Sequence, residues 1–291
     1  MPMAKQLNTM TVLRTERLSP HFVRVHLGGD GFDDFTPAGG TGVGDHDTDM
    51  YVKLVFGVPG VVYPEPFDLQ HIRETLPADQ QPVLRTYTVR RVDAERKELA
   101  IDFVVHGTEG IAGPWAATVE PGTEVRFLGP GSGYRPRADA PWHLLAADES
   151  GLPAVAAALE ALPVDSVAKV FIEVAGPDDE IELVAPPAAE IVWVHRGGGS
   201  DEVGEDRAGD NAPLVGAVRS AEWLDGEPQV FIHGEAQAVM HNLRRYVRKE
   251  RGVSAGNASI SGYWRRGRTE EGFRQWKSDL RQAEEKAGAG L

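Results

Sequence analysis

The chain has 291 residues, which suits two domains of ordinary size, and its 41% hydrophobic and 25% charged residues are the proportions of a globular protein with a packed core. A net charge of −14 argues against nucleic acid or an anionic membrane as partner, because both call for a basic face. No stretch approaches the roughly 18 apolar residues of a membrane helix, residues 1–11 hold only Lys5 and no apolar run, and there is no cysteine, so disulfides, thiolate metal sites and iron–sulfur ligation are excluded. A cytoplasmic location is expected, and any redox chemistry has to come from a bound cofactor.

In chain order, the first 135 or so residues read as strands between turns. Residues 21–27 alternate Val23, Val25 and Leu27 with Arg24 and His26, and residues 51–56 set Val52, Leu54 and Phe56 against Tyr51, Lys53 and Val55. Residues 85–91, 98–106 and 124–128 are further strands. Many short strands separated by Gly and Pro predict a small antiparallel β-barrel. The Gly-, Pro- and Arg-rich stretch 131–141 marks the boundary, dividing the chain into domains 1–137 and 138–291.

Beyond it, residues 142–147, 167–174, 190–194 and 229–233 are continuous apolar runs, the pattern of strands buried on both faces of a parallel sheet. Helices are predicted over 152–162 and over 235–249, where Val239, Leu243, Tyr246 and Val247 share a stripe. This rhythm specifies an α/β domain. A last helix starts at Thr269 as N-cap, with Glu270 and Glu271 at the positive end of its dipole and Phe273, Trp276 and Leu280 as its buried stripe. Residues 197–212, rich in Gly, Asp and Glu, read as a mobile surface loop rather than a site. Charge is uneven along the chain: from Arg244 onward there are twelve Lys and Arg against six Asp and Glu, while the rest is strongly acidic.

Two segments of the barrel half carry chemistry. In Arg85-Thr86-Tyr87-Thr88, strand alternation puts Arg85 and Tyr87 on one face, a guanidinium suited to a pyrophosphate beside a ring suited to stacking on a flat heterocycle. Thr88 offers a hydroxyl or backbone group to a flavin nitrogen. In residues 102–107, Asp102, Val104 and His106 emerge opposite Ile101, Phe103 and Val105. The glycine-rich stretch 107–117 follows, where the backbone can approach a phosphate.

These segments, with Gly129-Pro130, residues 147–154 and residues 262–268 (Gly-Tyr-Trp-Arg-Arg-Gly-Arg), resemble in order the siderophore-interacting protein family of the ferredoxin reductase superfamily. The resemblance implies an FAD-binding barrel followed by a nicotinamide-binding α/β domain. It implies that Arg85 holds the FAD pyrophosphate, that Tyr87 stacks on the isoalloxazine, and that Thr86 and Thr88 complete that edge of the site. Asp102, Phe103, Val104 and His106 would line the cofactor, and Gly110, Ala112, Gly113 and Trp115 would bring main-chain donors to the phosphates. Asp148 and Glu149, after the first α/β strand, and Trp264 would stand beside flavin and nicotinamide. The implied activity is reduction of a ferric siderophore by NADH or NADPH through FAD, with ferredoxin as an alternative donor. Lys53, Arg135, Arg265 and Arg268 are candidates to meet an anionic ferric chelate. Asp178 and Asp179, after the second α/β strand, are candidates for a ribose hydroxyl. A general flavin or ferric reductase on the same scaffold and a flavin-free siderophore-binding module are the alternatives. A metal-dependent hydrolase is disfavoured: the nine histidines lack H-E-x-x-H spacing, and Asp45-His46-Asp47 lies in a glycine-rich turn.

Overall fold

The computed structural model describes residues 6–39, 46–107 and 110–286; Lys5, Asp45 and, in the glycine-rich stretch, Thr108 and Glu109 lie outside them. Strands β1 (Leu7–Ser19), β2 (Phe22–Gly28), β3 (Tyr51–Phe56), β4 (Val83–Asp93), β5 (Glu98–Val104) and β6 (Glu124–Gly131) close a barrel in the order β1-β2-β5-β4-β3-β6. All its pairings are antiparallel, as predicted, and β6 returns to β1 through Leu7↔Leu128 to Thr11↔Glu124. Val25, Val52, Leu54, Ile101, Phe103 and Phe127 fill it, each at most 1% exposed. Short helices α1 (Leu69–Thr75) and α2 (Ala112–Thr118) attach to the barrel, α1 capped by the Asp68 carboxylate.

Strand β1 is the barrel element that alternation does not mark. Asn8, Met10 and Val12 point into the barrel, residues 13–17 lie on the surface, where Arg14 holds Glu98 of β5 at 2.7 and 2.8 Å, and Leu18 and Ser19 turn inward again toward the sheet domain. Two apolar residues pointing into the barrel give too little periodicity to stand out in a 13-residue strand.

The second domain is a five-stranded parallel sheet in the order β11-β10-β7-β8-β9, made of β7 (His143–Ala147), β8 (Ala168–Val174), β9 (Ala189–His195), β10 (Gln229–Glu235) and β11 (Ala258–Trp264). Helix α3 (Leu152–Ala161) covers one face with Val155, Ala158 and Leu159, and α4 (Pro213–Ser220) the other with Leu214, Val215 and Val218. The predicted helix over 235–249 begins later, because β10 keeps its ladder through Glu235; it continues as Gln237–Leu243 and Tyr246–Glu250 with widened turns. Helix α5 (Glu270–Lys286) has Thr269 as its cap, the hydroxyl accepting from Gly272 N at 3.1 Å, and buries Phe273.

Phe22 of the barrel is fully buried in one cluster with Leu145, Leu152 and Val155 of the sheet domain, so the two halves share a core. Asp179 ties them at the rim, accepting from the Ser19 hydroxyl at 2.8 Å and from His21 N at 3.0 Å, with His21 Nδ1 2.8 Å from its other oxygen. Asp179 is therefore a strut between domains, fully engaged by β1 and its turn. No helix among the described residues is long and apolar enough to cross a membrane.

Candidate cofactor site between barrel and sheet

The chain runs β7 to β8 to β9 toward one edge, then returns to β10 and β11 on the other side of β7. That reversal leaves a crevice beyond the carboxyl ends of β7 and β10, the place where open α/β sheets take ligands. Strand β4 of the barrel faces it.

On β4, cross-strand pairing to β3 puts Arg85 opposite Leu54 and Tyr87 opposite Val52, while Thr86 pairs with Lys53 and Thr88 with Tyr51. Arg85 and Tyr87 thus share one face and Thr86, Thr88 and Lys53 the other. The Tyr87 ring packs on Phe103, centroids 4.4 Å apart, and Phe103 packs on Trp115 at 5.5 Å. Burial pushes the Tyr87 hydroxyl well above its ordinary pKa. Arg85 Nη1 donates to Glu271 of α5 at 2.8 Å, and the Thr86 hydroxyl donates to Glu270 at 3.3 Å. Burial lifts the Glu270 carboxyl; at Glu271 burial is outweighed by the Arg85 hydrogen bond, and the carboxyl falls below its ordinary value. Two donors of the β4 motif therefore already hold anionic oxygens, and the same donors suit phosphate oxygens.

On β5, Asp102 is buried and both its oxygens are taken by Arg24 of β2, at 2.6 and 2.8 Å. Val104 packs against the shared core, and His106 Nδ1 lies 3.8 Å from Asp201 of the sheet domain. Gly110 has φ +85°, and Gly113 sits where a Cβ would come within 3.0 Å of the Val104 carbonyl, so a side chain there would push α2 off β5. Ala112 is buried in the barrel core and Trp115 lies against it.

At the crevice, the Asp148 carboxylate accepts from Trp264 Nε1 at 2.8 Å and from Glu235 N at 2.7 Å. Glu149 and Glu173 flank Arg196, all three buried; Arg196 donates to Glu173 at 2.9 Å and to both oxygens of Glu149, and Glu173 also accepts from Leu214 N at 2.8 Å. One guanidinium serves two carboxylates, and burial lifts Glu173 to about 7 against the hydrogen bonds from Leu214 and Arg196.

Tyr263, left out of the sequence-derived site, joins the two halves. Its hydroxyl lies beside the Thr88 side chain across the domain boundary and its ring meets His233 edge-on at 4.9 Å. Its place in the Gly-Tyr-Trp motif was the available signal; a partner 175 positions away in sequence was not. The segment 197–212 also departs from expectation. Arg266 donates to the carbonyls of Ser200 and Val203 and Arg207 to that of Arg196, and the tethered segment lines a cleft of about 500 Å³ together with Gln237, Arg265 and Arg266.

The candidate substrate residues are spread around this region rather than gathered. Lys53 lies on the outer face of β3, Arg135 on the connection between domains, and Arg265 between Gln237, at 3.0 Å, and the Trp276 ring, at 4.7 Å; Arg268 is exposed just before α5. Among the described residues no group of three or more His, Asp or Glu is placed to hold a metal ion.

Comparison with known proteins fits this architecture. Residues 11–134 match the family model of the siderophore-interacting FAD-binding domain, and residues 140–267 that of the siderophore-interacting protein. An uncharacterized protein of Mycobacterium tuberculosis is 56% identical over 284 residues, 96% of this chain and 98% of that one. Ferric vibriobactin reductase ViuB of Vibrio cholerae is 32% identical over 197 residues, 68% of this chain and 70% of its own. A solved structure of a siderophore utilization protein from T. fusca superposes with TM-score 0.74 at 35% identity, covering 91% of this chain and 94% of that one.

Proposed function

We propose that this chain, which belongs to the siderophore-interacting protein family, passes electrons from NADH or NADPH through FAD to a ferric siderophore and so releases iron as Fe(II). The observation that carries the reading is the meeting of Thr88 with Tyr263: the cofactor strand of the barrel abuts the carboxyl end of the sheet, where a nicotinamide donor is expected. Arg85 is suited to grip the FAD pyrophosphate, Tyr87 to stack on the ring system, and the Thr88 hydroxyl to stand at the ring edge. FAD, when bound, supplies the change from two-electron to one-electron transfer that reduction of ferric iron needs. The chain's own part is to orient the two ring systems and exclude water between them; Phe103 and Trp115 give the apolar backing. Reduction weakens the grip of hard oxygen ligands on the metal, so no protein nucleophile is required. Ferric vibriobactin reductase ViuB, similar to this chain over two thirds of its length, lends support to the substrate class.

The test is anaerobic. The purified protein is saturated with FAD and mixed with NADH or NADPH; bleaching of the flavin band and its recovery on adding ferric siderophores of catecholate and hydroxamate type is the expected result. Protein that stays colourless after refolding with excess FAD ends the reading.

A further inference from the structure

We propose that Asp148 is a positioning residue that locks the Trp264 indole against the switch point of the sheet, fixing one wall of the crevice in which donor and flavin are to meet. The inference rests on the function proposed above. Asp148 follows β7, is 3% exposed, and has both oxygens occupied. One accepts from Trp264 Nε1 at 2.8 Å and from Glu235 N at 2.7 Å; the other accepts from Ser150 N at 2.9 Å and from the Ser150 hydroxyl at 2.5 Å. Among the described residues no Lys, Arg or His forms an ion pair with it, although Arg196 and Arg266 line the same pocket. A buried carboxylate satisfied entirely by neutral donors is costly to build, and the hydrogen bonds it accepts are short, strong and directional.

The bonds join three strand ends. Ser150 fixes the carboxylate to its own turn after β7, Glu235 N is the last amide of β10, and the indole comes from the last residue of β11. Gly234 leaves the room: at φ +158°, a Cβ there would come within 2.8 Å of the Asp148 carboxyl. With Asp148 in place the indole cannot rotate about its side-chain bonds without abandoning a charge-assisted acceptor in a dry setting. Trp264 and Asp148 line one pocket with Glu235 and Arg266, so the fixed ring is a wall of the crevice and not part of the core.

The experiment uses Trp264→Phe, Asp148→Asn and the double variant. In the protein without flavin, the difference in near-ultraviolet circular dichroism between wild type and Trp264→Phe isolates the Trp264 signal. That signal should be sharp in wild type and lost in Asp148→Asn. In the FAD-loaded protein, each single variant should slow the limiting rate of flavin reduction by NADPH about tenfold, and the double variant should be no slower than the slower single, since both remove one interaction. A merely structural aspartate would lower the melting temperature but leave the Trp264 signal intact and the two rate effects multiplicative; either result overturns the proposal. Should Asp148→Asn fail to fold, wild type decides: the indole proton of Trp264, assigned by its absence in Trp264→Phe, should resonate downfield and resist solvent exchange, and free exchange overturns the proposal. Failure of the wild type to bind FAD would sink the functional reading instead, while the flavin-free measurements still decide the role of Asp148.

Discussion

The guanidinium of Arg85 on β4 donates to the carboxylate of Glu271 at the start of α5, 2.8 Å away and 186 positions along the chain. The residue that the family pattern assigns to a pyrophosphate is thus matched with an internal anion, and Glu270 stands 3.7 Å from the same group. A dinucleotide brought to Arg85 adds negative charge beside two carboxylates that one guanidinium already serves.

FAD affinity should respond in opposite directions to the two sides of this pair. Charge-assisted hydrogen bonds contribute roughly 1.5–3 kcal/mol, so Arg85→Ala should weaken FAD binding about tenfold or more. Glu271→Gln removes a competing charge from a half-exposed position, where ion pairs contribute about 0.2–1 kcal/mol, and should tighten binding by up to about fivefold. Titration of the flavin-free protein with FAD, followed by flavin fluorescence, measures both. Weaker binding in Glu271→Gln would mean that the carboxylate orients Arg85 instead of competing for it.

The contact between Thr88 and Tyr263 predicts a coupled loss. Tyr263→Phe removes the hydroxyl from this contact between domains; a loss of about 1 kcal/mol, the size of one net hydrogen bond, lowers the melting temperature of a chain of this size by about 2–4 °C. Thr88→Ala should do the same, and the double variant should lose no more than either single. Calorimetry of the flavin-free protein checks this. Additive losses would show that the two side chains stabilise the fold independently.

Glu173 should make stability depend on pH. Its carboxyl is lifted by burial from 4.5 to about 7, so the folded state binds the proton more tightly than the unfolded state does. The contribution is fully present below about 4.5 and is lost as pH rises to about 7. Glu173→Gln keeps the size of the side chain and removes the titration. The variant should be more stable than wild type at pH 8, with the difference shrinking between pH 7 and 4.5. Melting temperatures across that range decide it; parallel curves would mean that Arg196 keeps Glu173 ionised throughout.

The barrel and the parallel sheet were legible because burial leaves its period in the residues: Val52 and Leu54 alternate on β3, and residues 144–147 run unbroken through the centre of the sheet. The local motif on β4 was legible for the same reason, since a strand's two faces follow from counting by two. Contacts between distant strands were not. Asp102 reads as a polar group emerging toward a cofactor, yet β2 brings Arg24 opposite it in register. Asp179 reads as a candidate for a ribose hydroxyl and is a buried strut. The Asp148 bond to Trp264 spans 116 positions and exists only because β10 lies between β7 and β11. Such pairings are set by topology, which one strand's sequence does not encode.

The charge asymmetry supplies the last prediction. The whole molecule is strongly acidic, so an anionic ferric triscatecholate is repelled at long range and needs a local basic rim. Lys53 on the outer face of β3, Arg265 over the Trp276 ring and exposed Arg268 are the candidates for that rim. Steering by exposed charges is screened over about 8 Å at physiological ionic strength, so the rate with a triscatecholate should fall as salt rises. Lys53→Ala and Arg268→Ala should each lower that rate and flatten its salt dependence, while a neutral hydroxamate complex responds much less. Arg265→Ala should do the same and in addition free the Trp276 ring, which makes it the weaker diagnostic of charge. Anaerobic bleaching of the flavin by the nicotinamide donor is the control, because it reports the donor half alone. Equal slowing of bleaching and of siderophore reduction would assign these residues to the donor's phosphates, and no change in either step would make them ordinary surface charges.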